Sequence, residues 1–341
     1  MRKKILLTGG AGFIGVNLAA ELLKNKDNFV VVYDNLSRPG VEDNLAWLRK
    51  QKFPNFQFIR GDIRDFKKLK QVVSDSREIY HLAAQVAVTR SVTDPIEDFE
   101  INAAGTLYLL EATRLKSPGA VFVFASTNKV YGELGHLKLK ETQTRYIFTG
   151  KQKGVAETEN LNFHSPYGNS KGAADQYVRD YHRIYGMKTV VFRQSCIYGP
   201  HQKGNEDQGW VAHFVIRALR QEAINIYGDG KQVRDLLEVS DLLKAYQMAV
   251  RQIGKCAGQI YNIGGGLENT FSLLELINFL EKELKREIEC HFFQWRPGDQ
   301  KIFVSDNTKL LRDLGWKPAV FREEGVRNLI AWMRNNLELN D

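Results

Sequence analysis

Lys4-Ile-Leu-Leu-Thr8-Gly-Gly-Ala-Gly-Phe-Ile-Gly15 decides how this 341-residue chain folds. Ile5, Leu6 and Leu7 form a short uninterrupted apolar run, the pattern of a strand buried on both faces. Glycines at 9, 10, 12 and 15 follow, and Leu18, Leu22 and Leu23 then recur at helical spacing. The segment predicts a strand, a tight turn and a helix whose first N–H groups are free to hold an anion. Gly12 lets the backbone approach a pyrophosphate, and Gly15 lets the helix lie close to the sheet. A second apolar run, Phe29-Val-Val-Val-Tyr33, ends at Asp34. An acid at that distance from the glycines is placed to hold the ribose hydroxyls of NAD.

Outward from this unit, strands and helices alternate. Strands are expected at Phe56–Ile59, Ile79–Leu82, Ala120–Ala125 and Thr189–Phe192, and helices at Phe66–Val73 and Pro166–Ile184. Helical periodicity also runs from Ile96 to Leu115, with Phe99, Leu107, Leu110 and Leu115 as core candidates. The alternation implies an α/β fold with a doubly wound parallel sheet of Rossmann type. Beyond about residue 200 the turns become dense, as at Tyr227-Gly-Asp-Gly230 and Gly264-Gly-Gly266. That texture suggests a dinucleotide-binding domain over 1–200 and a smaller α/β substrate lobe over 201–341, with elements around 224–252 returning to the first domain.

Composition bounds the partners. The charge balance of 48 basic against 40 acidic residues gives +8, but the charges are interleaved, which argues for a solvated surface and not a nucleic-acid face. Cys196, Cys256 and Cys290 are too scattered for a disulfide framework or a zinc site, and no run reaches transmembrane length. After Met1-Arg-Lys-Lys the apolar segment is too short for a signal peptide. A cytoplasmic enzyme, with no metal and no membrane, is the expectation.

Chemistry concentrates at Tyr167-Gly-Asn-Ser-Lys171. Residues four apart share a helical face, so phenol and ammonium point into one site. A cation there should lower the phenol's pKa and fit it for proton transfer. Thr127, at the carboxyl end of the central strand, can donate to the same substrate oxygen. An intact Thr127, Tyr167 and Lys171 set argues against a non-catalytic protein that merely senses NAD.

With these motifs, Gly61-Asp62, Leu82-Ala-Ala84, Asn102-Ala-Ala-Gly-Thr106, Tyr131-Gly132, Tyr198-Gly-Pro200, Arg234-Asp235 and Arg296-Pro-Gly-Asp299, the chain resembles the extended short-chain dehydrogenase/reductases that act on nucleotide sugars. The resemblance covers nearly the whole chain. It implies NAD as cofactor, held by Gly9, Gly12, Phe13, Ile14, Gly15, Asp34, Asn35, Ser37, Arg38, Asp62, Ile63, Leu82, Ala83, Ala84 and Asn102, with Tyr167 and Lys171 at the reacting end. It implies substrate contacts from Gln85, Thr127, Asn128, Cys196, Gln208, Gly209, Val211, Arg234, Arg296 and Asp299, the two arginines gripping a diphosphate. It also implies a homo-oligomer, a dimer or a tetramer.

Family dehydratases carry an acid pair directly after the catalytic threonine, whereas here Asn128-Lys129 follows Thr127, which disfavours elimination of water. The longer runs Ser126-Thr-Asn-Lys-Val-Tyr-Gly132, Phe163-His-Ser-Pro-Tyr167, Gly172-Ala-Ala-Asp-Gln-Tyr177 and Asp207-Gln-Gly-Trp-Val211 resemble the branch that inverts C2 of CDP-linked hexoses. The implied route is transient oxidation to a 2-keto sugar. A CDP-glucose 2-epimerase, a 4-epimerase and a net oxidoreductase of the same fold stay open. Cys196 departs from the asparagine most members place there. Lys129 reads as a solvated lysine at a strand end, with a contact to sugar or cofactor as the alternative, and His81 and His164 as makers of structural hydrogen bonds.

Overall fold

The computed structural model describes residues 2–296 and 298–336; Pro297 of the Arg296–Asp299 motif and residues 337–341, the end of the stretch expected to form the second lobe, lie outside them. Seven parallel strands form the main sheet: β1 (Lys3–Thr8), β2 (Asn28–Asp34), β3 (Phe56–Arg60), β4 (Glu78–His81), β5 (Val121–Thr127), β6 (Lys188–Gln194) and β7 (Gln259–Ile263). Their order is β7-β6-β5-β4-β1-β2-β3, with chain direction reversing across the sheet between β1 and β4. That is the doubly wound arrangement, whose ligand crevice opens at the carboxyl ends of the strands flanking the switch. Ile5, Leu6 and Leu7 are fully buried at its centre, each worth roughly 2 kcal/mol of apolar transfer.

The sequence places stops and starts where the helices need them. Helix Ser165–Tyr185 begins with Pro166 in its first turn and ends on Gly186 at a φ of 66°, whose N–H caps His182 O. Helix Leu273–Leu284 opens with a reciprocal capping box between Ser272 and Glu275. The periodic stretch expected over Ile96–Leu115 is a continuous helical run, Pro95–Phe99, then a π turn at Glu100–Ala104, then Gly105–Lys116. Leu110 is buried and Leu107 packs on the core, but Phe99 and Leu115 are exposed. Asp98 and Asn102 take the inward face at the N-terminal end, which turns Phe99 outward, and Leu115 lies on the face opposite Leu110.

Of the stretch around 224–252, the Val239–Arg251 helix packs on the main sheet, together with β7 and Trp316. Strand Ile224–Tyr227 stays in the second lobe, paired in parallel with Cys290–Phe293, because Ile224 and Ile226 bury against Leu276, Leu280 and Met333. Strand Val233–Glu238 joins the lobes, pairing with Cys196–Tyr198, Thr270–Ser272 and Ile302–Phe303. Among the described residues no helix is long and apolar enough to cross a membrane.

Candidate active site

A cavity of about 730 Å³ runs from the glycine turn, across the carboxyl end of the main sheet, into the second lobe. Its first half is shaped by the Lys4–Gly15 segment. Gly9 sits at a φ of 67°, and a Cβ there would lie 2.5 Å from Ala83 N; a Cβ on Gly15 would lie 2.5 Å from Gly10 Cα. Only glycine permits that approach of turn, helix and β4 loop. The Phe13–Leu23 helix has no side-chain cap and no acid in its first turn, so its N-terminal N–H groups face the cavity without a competing anion. At the end of β2, Asp34 Oδ1 accepts from Leu36 N–H (2.8 Å) and Oδ2 from Ala11 N–H (3.1 Å), which orients the carboxylate and leaves further acceptor sites on it. Tyr33 donates to Asp62 O (2.6 Å), and the Asn35 amide to Asp62 Oδ2 (2.9 Å), fixing the wall opposite. Anion-ready helix, carboxylate and apolar floor at Leu82, Ala83 and Ala84 fit a dinucleotide.

The reacting end is built by β5 and the Ser165–Tyr185 helix, which bring Thr127, Tyr167 and Lys171 into the same wall. Thr127 Oγ1 accepts from Lys129 N–H at 3.2 Å. Lys171 Nζ donates to Ala125 O (2.6 Å) and stands 4.2 Å over the Phe124 ring. Burial pulls its pKa down to about 7, with Asp175 and Asp98 opposing. Burial pushes the Tyr167 phenol up to about 12; the Thr127 hydrogen bond and the charge of Arg38 oppose this, and Asp98 adds to it. Burial therefore wins over any lowering of the phenol by Lys171, and the cation acting on the phenol is Arg38. A bidentate pair lies beneath: Arg193 Nε and Nη2 donate to the two oxygens of Asp175 at 2.9 Å each, and Ser126 donates to the same carboxylate.

The second half gathers Asn128, Cys196, Gln208, Gly209, Val211, Arg234, Arg296 and Asp299. Arg234 donates to Asp299 Oδ1 (2.6 Å), and Arg296 lies 3.9 Å over the Tyr227 ring and donates to Glu206 O (2.7 Å). Arg38 reaches across the cavity to donate to Gln208 Oε1. Cys196 Sγ accepts from Trp210 Nε1–H at 3.3 Å, so the thiol fills the place of the usual asparagine as a partner of the wall itself.

Two expected contacts are not in the wall. Gln85 donates through Nε2 to Ala87 O (2.9 Å) and Asp98 Oδ1 (2.8 Å), and Asn102 bonds the Gln85 backbone N–H and O at 3.0 Å each and donates to Ser170 Oγ. The buried Asp98 carboxylate recruits the donors around it, turning both side chains away from the cavity. They brace the β4 loop against the Tyr167 helix. Lys129 is not a solvated lysine: it lines the cavity and its Nζ contacts Gly298 O (3.3 Å) and Asp299 Oδ1 (3.5 Å), while burial lowers its pKa. His81 is fully buried between Thr8 Oγ1 (2.8 Å) and Thr106 Oγ1 (2.9 Å), whereas His164 is half exposed beside Glu133. Sequence reasoning missed Glu206, His213 and Asn225 in the wall. They sit on a loop, a helix and a strand, and only the strand's link to the Tyr227-Gly-Asp-Gly230 turn marked the place. Among the described residues no three His, Cys, Asp or Glu side chains are grouped to hold a metal.

Residues 6–329 match the family model described as GDP-mannose 4,6 dehydratase. The chain is 44% identical over 336 residues to CDP-paratose 2-epimerase of Salmonella typhi, covering 96% of this chain and 98% of that one. Among solved structures it is similar to UDP-glucose 4-epimerase of Thermotoga maritima with UDP-glucose, at 33% identity and TM-score 0.84 over 98% of this chain and 100% of that one. It is also similar to UDP-glucuronic acid 4-epimerase of Bacillus cereus in complex with UDP-glucuronic acid and NAD, at 29% identity and TM-score 0.85 over the same shares, 98% and 100%.

Proposed function

We propose, from the premise that the chain belongs to the GDP-mannose 4,6 dehydratase family of extended short-chain dehydrogenase/reductases, that it is an NAD-dependent epimerase inverting C2 of a CDP-linked hexose, CDP-paratose in the first instance. The observation that carries this reading is the single cavity in which the dinucleotide cradle and the Thr127, Tyr167 and Lys171 set meet two arginines in the facing lobe. Asn128 and Lys129, directly after Thr127, offer no carboxylic acid for elimination.

Bound NAD would supply a hydride acceptor and donor and, when oxidised, a positively charged ring beside the phenol. The chain's own groups handle oxygen and proton. Tyr167 takes the proton of the C2 hydroxyl and later returns it, Thr127 holds that oxygen by hydrogen bond, and Lys171, tied to Ala125 O, lines the same wall one helical turn on. Arg234 and Arg296 hold the diphosphate while the sugar turns its other face. Turnover of a CDP-hexose labelled at C2 is the test, and its outcome is argued in the Discussion.

Asp34 favours NAD over NADP, since a 2′-phosphate would meet a carboxylate. Arg38, the group able to welcome that phosphate, is engaged with Gln208. Cofactor extracted from the purified protein is expected to be mostly NAD, and a predominance of NADP would refute the assignment.

The oligomer is also proposed here. Ile96 and Phe99 on one helical run and Ile184 on its neighbour are 71%, 58% and 65% exposed, an apolar face that a second copy would cover. Light scattering should give two or four times the 39.0 kDa chain mass, and a monomer at micromolar concentration would exclude this. Three free cysteines suit a reducing cytoplasm, where we place the reaction.

A further inference from the structure

We propose that Glu206 and Asn225 read the base of the substrate, selecting a pyrimidine with an exocyclic amine over one with a carbonyl at that position; this rests on the sugar-nucleotide reading above. Part of the cavity wall is made by the loop before the Trp210–Leu219 helix and by the strand Ile224–Tyr227, with Arg296 against both. Chemistry orders the substrate along it. The sugar must lie at Tyr167, and the diphosphate must meet the cations Arg234 and Arg296. The base therefore meets the wall on the side of Arg296, where Glu206, Asn225 and Tyr227 stand.

These three groups form one web. Glu206 Oε1 accepts from the Asn225 amide at 2.5 Å, and Oε2 from the Tyr227 hydroxyl at 3.0 Å. The Glu206 backbone carbonyl accepts from Arg296, whose guanidinium stacks on Tyr227. The carboxylate is thus tied at both ends of its residue and pointed along the wall. Partial burial would raise its pKa, but the bonds from Asn225 and Tyr227 together with the charges of His213 and Arg296 bring it below the ordinary carboxylate value.

What this wall offers a ligand is acceptors. Each carboxylate oxygen retains a lone-pair site after one bond, and Asn225, with its NH2 turned to Glu206, presents its amide oxygen elsewhere. The 4-amino group of cytosine donates two N–H bonds and matches such a wall. Uracil and thymine place a carbonyl oxygen there, acceptor against anion, which repels and leaves both groups unpaired. A carboxylate could instead hold the ribose diol of the substrate, as Asp34 is placed to do for the cofactor. That contact is common to all nucleotides and gives no selection, so the two roles separate cleanly.

The probes are CDP and UDP alone, titrated calorimetrically into the purified protein with its cofactor. Wild type should bind CDP at least about tenfold more tightly than UDP. Glu206→Gln, whose amide can donate to a base carbonyl, should shrink that ratio by about tenfold, weakening CDP and strengthening UDP. A ratio that does not shrink overturns the proposal: with both ligands weakened equally Glu206 holds a group common to both, such as the ribose, and with both affinities unchanged it touches neither. In either case a wild-type preference for CDP leaves the CDP-sugar reading standing. Wild type that favours UDP, or neither, overturns that reading itself. Should Glu206→Gln fail to fold, Asn225→Ala reads the same ratio, with the carboxylate left in place; a ratio that does not fall counts against the proposal.

Discussion

Tyr167→Phe is expected to lower turnover by at least about a hundredfold, and by as much as ~10⁴-fold, while CDP affinity and NAD content stay near those of wild type. The substitution removes one oxygen and keeps the ring that helps close the cavity wall. The phenylalanine ring carries no group that can accept a proton in its place. The phenol rests high, at about 12, because burial dominates its surroundings. It is therefore protonated at rest, and accepts the substrate's proton only as the phenolate, the form that the charge of Arg38 favours. A single-turnover assay alongside a CDP titration separates the two quantities. A variant that keeps its rate within about tenfold removes Tyr167 from the role of proton acceptor.

The features legible in the sequence are those set by local rules. A buried strand must be an unbroken apolar run, and a phosphate-binding turn must be glycine where φ is positive and backbones touch. Gly9, Gly15, Asp34 and the Tyr167–Lys171 spacing follow from such rules, and they stand together in the cavity wall. What was not legible depends on partners distant in sequence. Gln85 and Asn102 look like site residues from their motifs, yet the buried Asp98 takes both side chains. Lys129 looks solvated until Asp299 and Gly298, far along the chain, close over it. The phenol's basicity was misjudged for the same reason: a helical i, i+4 neighbour is visible in sequence, but the burial that outweighs it, and Arg38 arriving from the end of β2, are not. Glu206 and Asn225 carry no motif of their own, because a base pocket is assembled from single residues on separate elements, here a loop and a strand.

A CDP-linked hexose carrying deuterium at C2 is expected to yield its 2-epimer with the deuterium still on C2, in ordinary water and without added NAD. The reason lies in which atoms the chain addresses. Tyr167 and Thr127 both present groups suited to an oxygen and its proton, not to a carbon. A C–H on a hydroxyl-bearing carbon with no carbonyl beside it is far too weak an acid for a phenolate with a pKa of about 12 to deprotonate at a useful rate. Inversion therefore requires that the hydrogen leave with its electron pair and come back to the other face without meeting solvent. Mass spectrometry of the product reads this directly. Wash-out of the label to water would mean a carbon base at work. A product inverted at C4 would mean that the sugar lies the other way against Tyr167, as in a 4-epimerase. A stoichiometric build-up of an oxidised or reduced sugar would mean a net oxidoreductase, and no product at all would return the chain to a binding role. Running CDP-paratose and CDP-glucose side by side then shows what the pocket demands at the deoxy positions, since only the hydroxyls distinguish them.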